Sequence, residues 1–424
     1  MSLLLGLWKT KVIAAGLGVD ASGLVGQVSL VTGFGAVIAF FGLWATAARS
    51  IFQNFRNDNP ETARSVATLF YVVAIALTAT VIFIILGGTW LLDILGINFL
   101  VGGSLGLAGL VASSALYSFA TVWWRARGES SRFLVWTISG ATISLVVTLL
   151  AARIDDLDLA VIALGVGFAL PALMWLVLDV GPFIYRNFHV LGFRRQAVFT
   201  DFKVGSIGVL LQLSKMGSDI GSRAIVTASL GFVANGLVQP YFLYATVFLP
   251  QFIAILQTQL IQALALADGR ELADKIILRI VAVLVFFAMA LSLTSHLFVD
   301  LFFSPAFRDG AGVLAMGSWA EVTRWLGMVL AAVLIAGKRA SVVAIAAPVC
   351  AVIRIFTVEL TEGFLDIYAV ALSGAVEGLV FSAACTIAAR RFGYLHARAS
   401  VALIGTSGLM FLMALLVGVI YAHW

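Results

Sequence analysis

The sequence predicts an all-α, polytopic membrane protein, and three observations predict it. Its 424 residues are 62% hydrophobic and only 11% charged, with a mean hydropathy of +1.08. A water-soluble fold could not solvate such a surface. Apolar runs of about 20 residues or more fill nearly the whole chain, long enough to cross a bilayer as helices. In hydrocarbon the backbone must satisfy its own hydrogen bonds, which leaves helices or closed barrels, and these runs are too long and too continuous for barrel strands. Finally, Lys and Arg sort to alternate loops, as they do when successive helices cross a membrane.

The apolar runs predict helices at 1–18, 24–48, 66–92, 100–124, 132–152, 158–185, 203–230, 237–266, 275–303, 311–337, 341–360, 366–391 and 400–422. With the N-terminus cytoplasmic, 17 Lys and Arg fall on the cytoplasmic side and only Arg153 and Arg308 outside. Asp155, Asp156, Asp158, Glu359, Glu362 and Asp366 collect on the outer side. A miscounted helix in the middle would scramble this sorting. Trp44, Trp90, Trp123, Trp124 and Trp136 sit near helix ends, where interfacial indoles anchor. Trp8, Trp175, Trp319 and Trp325 lie deeper, as core packing or as a wall for a sugar or apolar ligand.

The composition excludes several classes. The net charge of +5 reflects loop topology, and nucleic acid is not expected as a partner. Cys350 and Cys385 fall inside apolar helices and read as packing residues. His189, His296, His396 and His423 have no ligand spacing, so neither a metal nor another cofactor is expected. There is no phosphate-binding loop of the G-x-x-x-x-G-K type, so the chain does not itself burn ATP. Lys9 and Lys11 interrupt the first apolar run, which argues against a cleavable signal peptide.

An internal echo divides the chain. Leu17-Gly18 with Gly23-Leu24-Val25 recurs as Leu230-Gly231 with Gly236-Leu237-Val238, at a constant offset of 213, and Ala21 matches Ala234. The matches fall at the ends of the first and seventh helices. With six helices before the basic stretch at 186–203 and six after it up to 394, the helix at 400–422 set aside, they suggest parallel repeats. By the same offset Met1 aligns with Ser214, inside the seventh helix, so the first helix is expected to be short. The expected organisation is a six-helix lobe at 1–185, a cytoplasmic basic linker at 186–203, a second six-helix lobe at 204–394 and an additional helix at 400–422.

Function is then sought in charges inside the membrane, which are costly and mark pathways or pairs. Lys215, Asp219 and Arg223 are spaced i, i+4, i+8, on one helix face, with Gly217 and Gly221 allowing close approach. Lys9 and Lys11 place cations at a similar depth in the first helix. Glu321 and Arg324 can pair at i, i+3, and Arg354 and Glu377 add two more charges. Asp179 and Arg279 lie near helix ends and read as interfacial. Gln251, Gln257, Gln259 and Gln262, beside Pro240 and Pro250, suit sugar hydroxyls or helix–helix bonds, with Gln251, Gln259 and Gln262 the candidate sugar contacts. The tally is cationic, so Lys9, Lys11, Lys215, Arg223, Arg324 and Arg354 are candidates for a cavity that holds an anionic headgroup such as a pyrophosphate. Asp219, Glu321 and Glu377 are candidates for ion coupling or charge pairing. Glu377 is the sequence's choice for coupling, because its helix carries no cation before Arg390. Its alternative is a structural pair with Arg354.

Several stretches together resemble a family. Lys11-Val-Ile-Ala-Ala-Gly-Leu-Gly18 through Gly23-Leu-Val-Gly-Gln27 looks like the first helix and turn of bacterial Wzx-type flippases, which translocate lipid-linked O-antigen or common-antigen oligosaccharides. Arg49 through Asp58-Asn-Pro60, Ser304-Pro-Ala-Phe307, Ile335-Ala-Gly-Lys338 and Arg390-Arg391 are similar to later parts of that family. The resemblance implies the multidrug/oligosaccharidyl-lipid/polysaccharide exporter fold, two six-helix lobes forming a V-shaped transporter in the bacterial cytoplasmic membrane. It implies a polyprenyl-pyrophosphate-linked oligosaccharide as substrate, surrounding membrane lipid, and polysaccharide polymerase and glycosyltransferases as partners. The helix at 400–422 departs from the usual twelve. The competing readings are a cation-coupled multidrug antiporter of the same superfamily and a membrane polymerase or ligase. The antiporter would want a dominant carboxylate, and the enzyme a reaction site in a long outer loop, which the sequence does not show.

Overall fold

The apolar runs become helices because nothing inside them competes with the backbone, and glycine, proline and acid-rich turns end them. The computed structural model describes residues 2–40, 51, 60–94, 102–187, 195–249, 269–336 and 339–422. In chain order the helices are α1 (Ser2–Gly16), α2 (Gly18–Phe40), α3 (Pro60–Ile94), α4 (Gly103–Ala126), α5 (Ser130–Ile154) and α6 (Leu157–Trp175). α6 runs through a π-helical turn, Leu176–Val180, into Gly181–Asn187. The second half holds α7 (Arg195–Leu237), the short α8 (Gln239–Leu243) with a π-helical turn at Tyr244–Phe248, α9 (Gly269–Phe302), α10 (Ala311–Ala336), α11 (Ala340–Leu365), α12 (Tyr368–Arg391) and α13 (Ala397–Ala422). No strand occurs among the described residues. Eleven of the described helices are long and apolar enough to cross a membrane. The predicted all-α polytopic fold is the one observed.

The differences from the predicted boundaries have local causes. The first turn is a single residue, Leu17, and α2 begins at Gly18 and not at 24. Gly18 takes φ +88°, a left-handed conformation that side-chain-bearing residues resist, so one glycine reverses the chain. Pro60 opens α3, ahead of the expected start, because its missing N–H costs nothing in a first turn. α7 begins at Arg195, so the stretch at 186–203, expected to be a linker throughout, is helical over its last nine residues. Gly231 breaks α7 at φ +85°. The two glycines of the sequence echo therefore share one unusual backbone angle, +88° and +85°. The echo is a repeated piece of architecture.

By packing, the chain divides into two compact units, Met1–Met216 and Gly217–Trp424. The division falls within α7, and α13 belongs to the second unit, where the sequence had set it apart from a lobe ending at 394. In the first unit α4 packs against α2, α3 and α6, and α5 packs against α1 and α6. Its aromatic core gathers Phe40, Phe119, Trp123, Trp124 and Trp175, with Phe70 packed against it, its ring 5.2 Å from that of Phe119. In the second unit α10 is the hub, packed against α9, α11, α12 and α13 and buried over almost its whole length. A helix so enclosed has no lipid-facing side on which to hide a charge, so any ionisable residue on it must find partners inside.

The two ends of the second unit differ in sign. Arg308 and the acids Asp300, Asp309, Glu359, Glu362 and Asp366 cluster where α9 and α11 finish and α10 and α12 begin. Lys275, Arg279, Arg339, Arg390, Arg391 and Arg398 mark the other end.

Candidate functional site: a buried charge network

α10 carries Glu321 and Arg324 at its centre, both buried, at 0% and 2% exposure. Arg324 Nη1 donates to Glu321 Oε1 at 3.3 Å and to Asp219 Oδ1 at 3.0 Å, and its Nε lies 3.2 Å from Glu377 Oε2. Arg354 on α11 donates from Nη1 to two of these three acids, to Asp219 Oδ1 at 2.6 Å and to Glu377 Oε2 at 3.1 Å. Ser218 donates to Glu377 Oε1 at 3.2 Å, and Tyr241 of α8 donates to Glu321 Oε1 at 2.9 Å. Three carboxylates and two guanidiniums, with a serine and a tyrosine, thus tie together α7, α8, α10, α11 and α12.

Small residues make the contact possible. A Cβ at Gly378 on α12 would stand 2.7 Å from the backbone nitrogen of Arg324, so α12 approaches α10 only without one. Gly317 and Gly374 leave the slot in which the Tyr241 ring lies, with its hydroxyl on Glu321.

Arg223 follows Asp219 by four residues on α7 and is fully buried. Its Nε donates to Asn235 Oδ1 at 2.6 Å, its Nη2 to the Asn235 carbonyl at 3.3 Å, and its guanidinium lies 4.8 Å from the Phe242 ring centroid. Asn235 sits just beyond the Gly231 break, so that break brings an amide back over the arginine. With Arg223 counted, three arginines stand against three carboxylates within the second unit.

This arrangement corrects the sequence tally. Asp219 Oδ1 is taken by arginines from other helices and is not simply one rung of a ladder along α7. Arg324 and Arg354 are matched by acids, so they add little free positive potential. Removing a charge from water costs several kcal/mol, and close pairing offsets that cost. Glu377 is not the isolated acid that its own helix suggested, since both arginines and Ser218 hold it. Glu321 Oε2, like Asp219 Oδ2, is a buried carboxylate oxygen of the network that makes no hydrogen bond among the described residues.

Of the remaining candidates, Lys9, Lys11 and Lys215 lie in the first unit. Lys9 is half-buried on α1, its Nζ donating to Ser144 Oγ at 3.4 Å. Lys11 and Lys215 are also half-buried. Gln251, Gln259 and Gln262 lie outside the described residues. Of the deep tryptophans, Trp175, Trp319 and Trp325 are buried in the packing and Trp8 is 67% exposed.

Sequence reasoning missed a second polar knot. Asp179, expected at the interface, is 4% exposed. It accepts from Trp124 Nε1 at 2.8 Å, from Arg132 Nη1 at 3.1 Å and from Arg127 Nη1 at 3.3 Å. The π-helical turn at Leu176–Val180 carries it, and such a turn is invisible in a hydropathy pattern.

No family model matches the chain, and no curated protein does. Solved structures do. An inward-facing multidrug resistance MATE family transporter of the MOP superfamily aligns with a TM-score of 0.68 at 16% identity, over 96% of each chain. The lipid II flippase MurJ, inward closed, aligns with a TM-score of 0.57 at 12% identity, over 99% of this chain and 96% of that one. A MOP superfamily transporter from Pyrococcus furiosus, with a binding pocket of reversed polarity, aligns at 0.51 and 13% identity, over 97% and 92%. The chain has the two-lobed helical fold of the MOP superfamily transporters.

Proposed function

We propose that this chain is a transporter that flips a polyprenyl-pyrophosphate-linked oligosaccharide across the bacterial cytoplasmic membrane by alternating access. One observation carries the reading: the three buried arginines of the second unit are matched by three buried carboxylates, and the intramembrane lysines Lys9, Lys11 and Lys215 all sit in the first unit, on α1 and the first half of α7. α1 holds Lys9 and Lys11 and no acid. Half-buried ammonium groups of this kind suit a pyrophosphate, whose charge is fixed and multiple. In this reading the lysines hold the headgroup, the polyprenyl tail stays in lipid, and Arg223, Arg324 and Arg354 with their acids brace the second unit while it moves. Glycosyltransferases act before the step and the polymerase after it. The solved lipid II flippase supports the reading by fold. So does the resemblance of residues around Lys11 to Gln27 and around Pro305 to Wzx-type flippases.

The test is a complementation experiment in the source cell. Cells lacking the gene should lose surface polysaccharide. The Lys9→Ala, Lys11→Ala, Lys215→Ala triple variant should restore less than about a tenth of it at normal protein level, a loss of some 1.4 kcal/mol or more in headgroup binding. Full restoration by the triple variant would sink the pyrophosphate assignment.

A second reading, a cation-coupled antiporter, is favoured by one feature, the unbonded oxygen of buried Glu321. It predicts that Glu321→Gln abolishes gradient-dependent transport in liposomes and leaves exchange intact.

A further inference from the structure

A cavity of about 950 Å³ opens at the end of the second unit where α7, α9, α11 and α13 finish, far along α10 from the charge network. That is at the upper end of the range for small-molecule sites. Its polar lining is Tyr368, Tyr421, His296, Arg308, Asp309 and Asp366, set against an apolar wall that includes Leu237 and Ile420.

The two tyrosines are pinned. Tyr421 bonds through its hydroxyl to Ser295 Oγ at 2.9 Å and donates to the Ser292 carbonyl at 3.3 Å. Tyr368 donates to the Tyr421 carbonyl at 3.4 Å. The His296 ring lies 5.7 Å from that of Tyr421 at a 30° tilt. Gly312 admits this packing, because a Cβ there would collide with the Tyr368 hydroxyl and Tyr421 Cβ. The hydroxyls are tied back into the protein, so what the half-buried tyrosines offer the cavity is ring surface.

Around these rings the polar groups are mixed. Arg308 spends Nε and Nη2 on Asp300, at 3.0 and 2.9 Å, and Nη1 lies outside that fork. Asp309 and Asp366 are exposed and make no ion pair among the described residues. Asp366 holds a left-handed backbone, φ 53° and ψ −135°, strained for a residue with a side chain. A compact organic cation would meet Arg308, and a phosphate would meet two carboxylates. A neutral polyhydroxyl compound uses all of it: apolar C–H faces against the rings, hydroxyls donating to carboxylates and accepting from the guanidinium.

We infer that this cavity is a saccharide-binding pocket, completed by Tyr421 of α13, that receives the glycan portion of the cargo away from its pyrophosphate. The inference rests on the glycan-carrier reading above. By the sorting of basic residues this end faces outward, so the pocket would engage sugar on the release side and gives α13 a task.

The experiment uses the full chain in nanodiscs and, as probe, the free oligosaccharide released by mild acid from the source cell's own polyprenyl-pyrophosphate pool. Binding is read by calorimetry. The wild type should bind, and Tyr421→Ala should weaken binding about tenfold or more. Asp309→Asn and Asp366→Asn, at exposed positions without internal ion pairs, keep the fold and should each weaken it about fivefold. A wild type that does not bind the probe, or variants that all bind as it does, overturns the pocket. Translocation measured in parallel on the wild type separates the two ideas. Translocation without pocket-dependent binding sinks the pocket alone, whereas an intact protein that translocates no lipid-linked glycan sinks the carrier reading and the pocket with it.

Discussion

Replacing Arg354 with glutamine should be among the most destabilising single changes in the second unit. Its Nη1 bonds Asp219 at 2.6 Å and Glu377 at 3.1 Å, and the side chain is fully buried. Glutamine keeps a donor but loses the charge, leaving Arg324 alone in contact with three carboxylates. Stripping one partner from a buried pair costs about 3–5 kcal/mol, against about 1 kcal/mol for an exposed one. The folded-to-unfolded ratio at a given denaturant concentration should fall by about two to four decades. The double variant Arg354→Gln, Glu377→Gln removes one charge of each sign. It should recover about 2 kcal/mol relative to the sum of the single variants, the coupling expected of residues in one network. The assay is unfolding of purified protein in mixed micelles by stepwise addition of a denaturing detergent, read as a double-variant cycle. A single variant within about 0.5 kcal/mol of wild type, or a double variant no better than additive, would refute the claim that the network is a tightly coupled unit.

Other expectations follow from single contacts. Trp124→Phe removes the indole donor from buried Asp179 at 2.8 Å and should cost about 1–3 kcal/mol, with less loss in Trp124→Phe, Asp179→Asn; equal losses would show that the bond is unimportant. Gly378→Val places a branched side chain against the Arg324 backbone and should cost about 1–3 kcal/mol, measured by thermal unfolding in detergent, whereas an unchanged midpoint would mean that α10 and α12 can separate freely. Cysteines at Asp156 and Asp309 should react with a membrane-impermeant thiol reagent in intact cells and one at Glu129 should not; labelling at Glu129 from outside would reverse the orientation.

Much of the fold was legible in the sequence because hydropathy and turn chemistry are local. Gly18 and Gly231 were visible as an echo, and the structure gives them the same left-handed backbone. The helices before and after 186–203 were readable as spans, but helix within a basic stretch was not, because charge density hides the onset of α7 at Arg195. Half of the site was readable too. The Glu321–Arg324 pair follows from i, i+3 spacing on one helix. Of the pairs that join helices, Arg354 with Glu377 on the adjacent helix was raised as an alternative, and the others did not follow, since nothing local says that Arg354 reaches Asp219 across 135 residues. Summing charges gave a cationic interior, whereas within the second unit geometry sets three buried arginines against three buried carboxylates. Tyr241 and Ser218 were missed because neutral hydroxyls carry no hydropathy signal strong enough to stand out, although Pro240 and the glycines 317 and 374 mark the slot that Tyr241 fills.

The central claim is that this chain moves a lipid-linked glycan. The most direct measurement reconstitutes the purified protein in liposomes carrying polyprenyl-pyrophosphate-linked oligosaccharide from the source cell in both leaflets. A glycan-cleaving enzyme added outside reports which leaflet holds the sugar. Empty liposomes should yield about half of the glycan, and liposomes with protein nearly all of it, with the triple lysine variant close to the empty control. A protein that leaves the inner half protected, while it carries a lipophilic cation across the same membrane, would contradict the account.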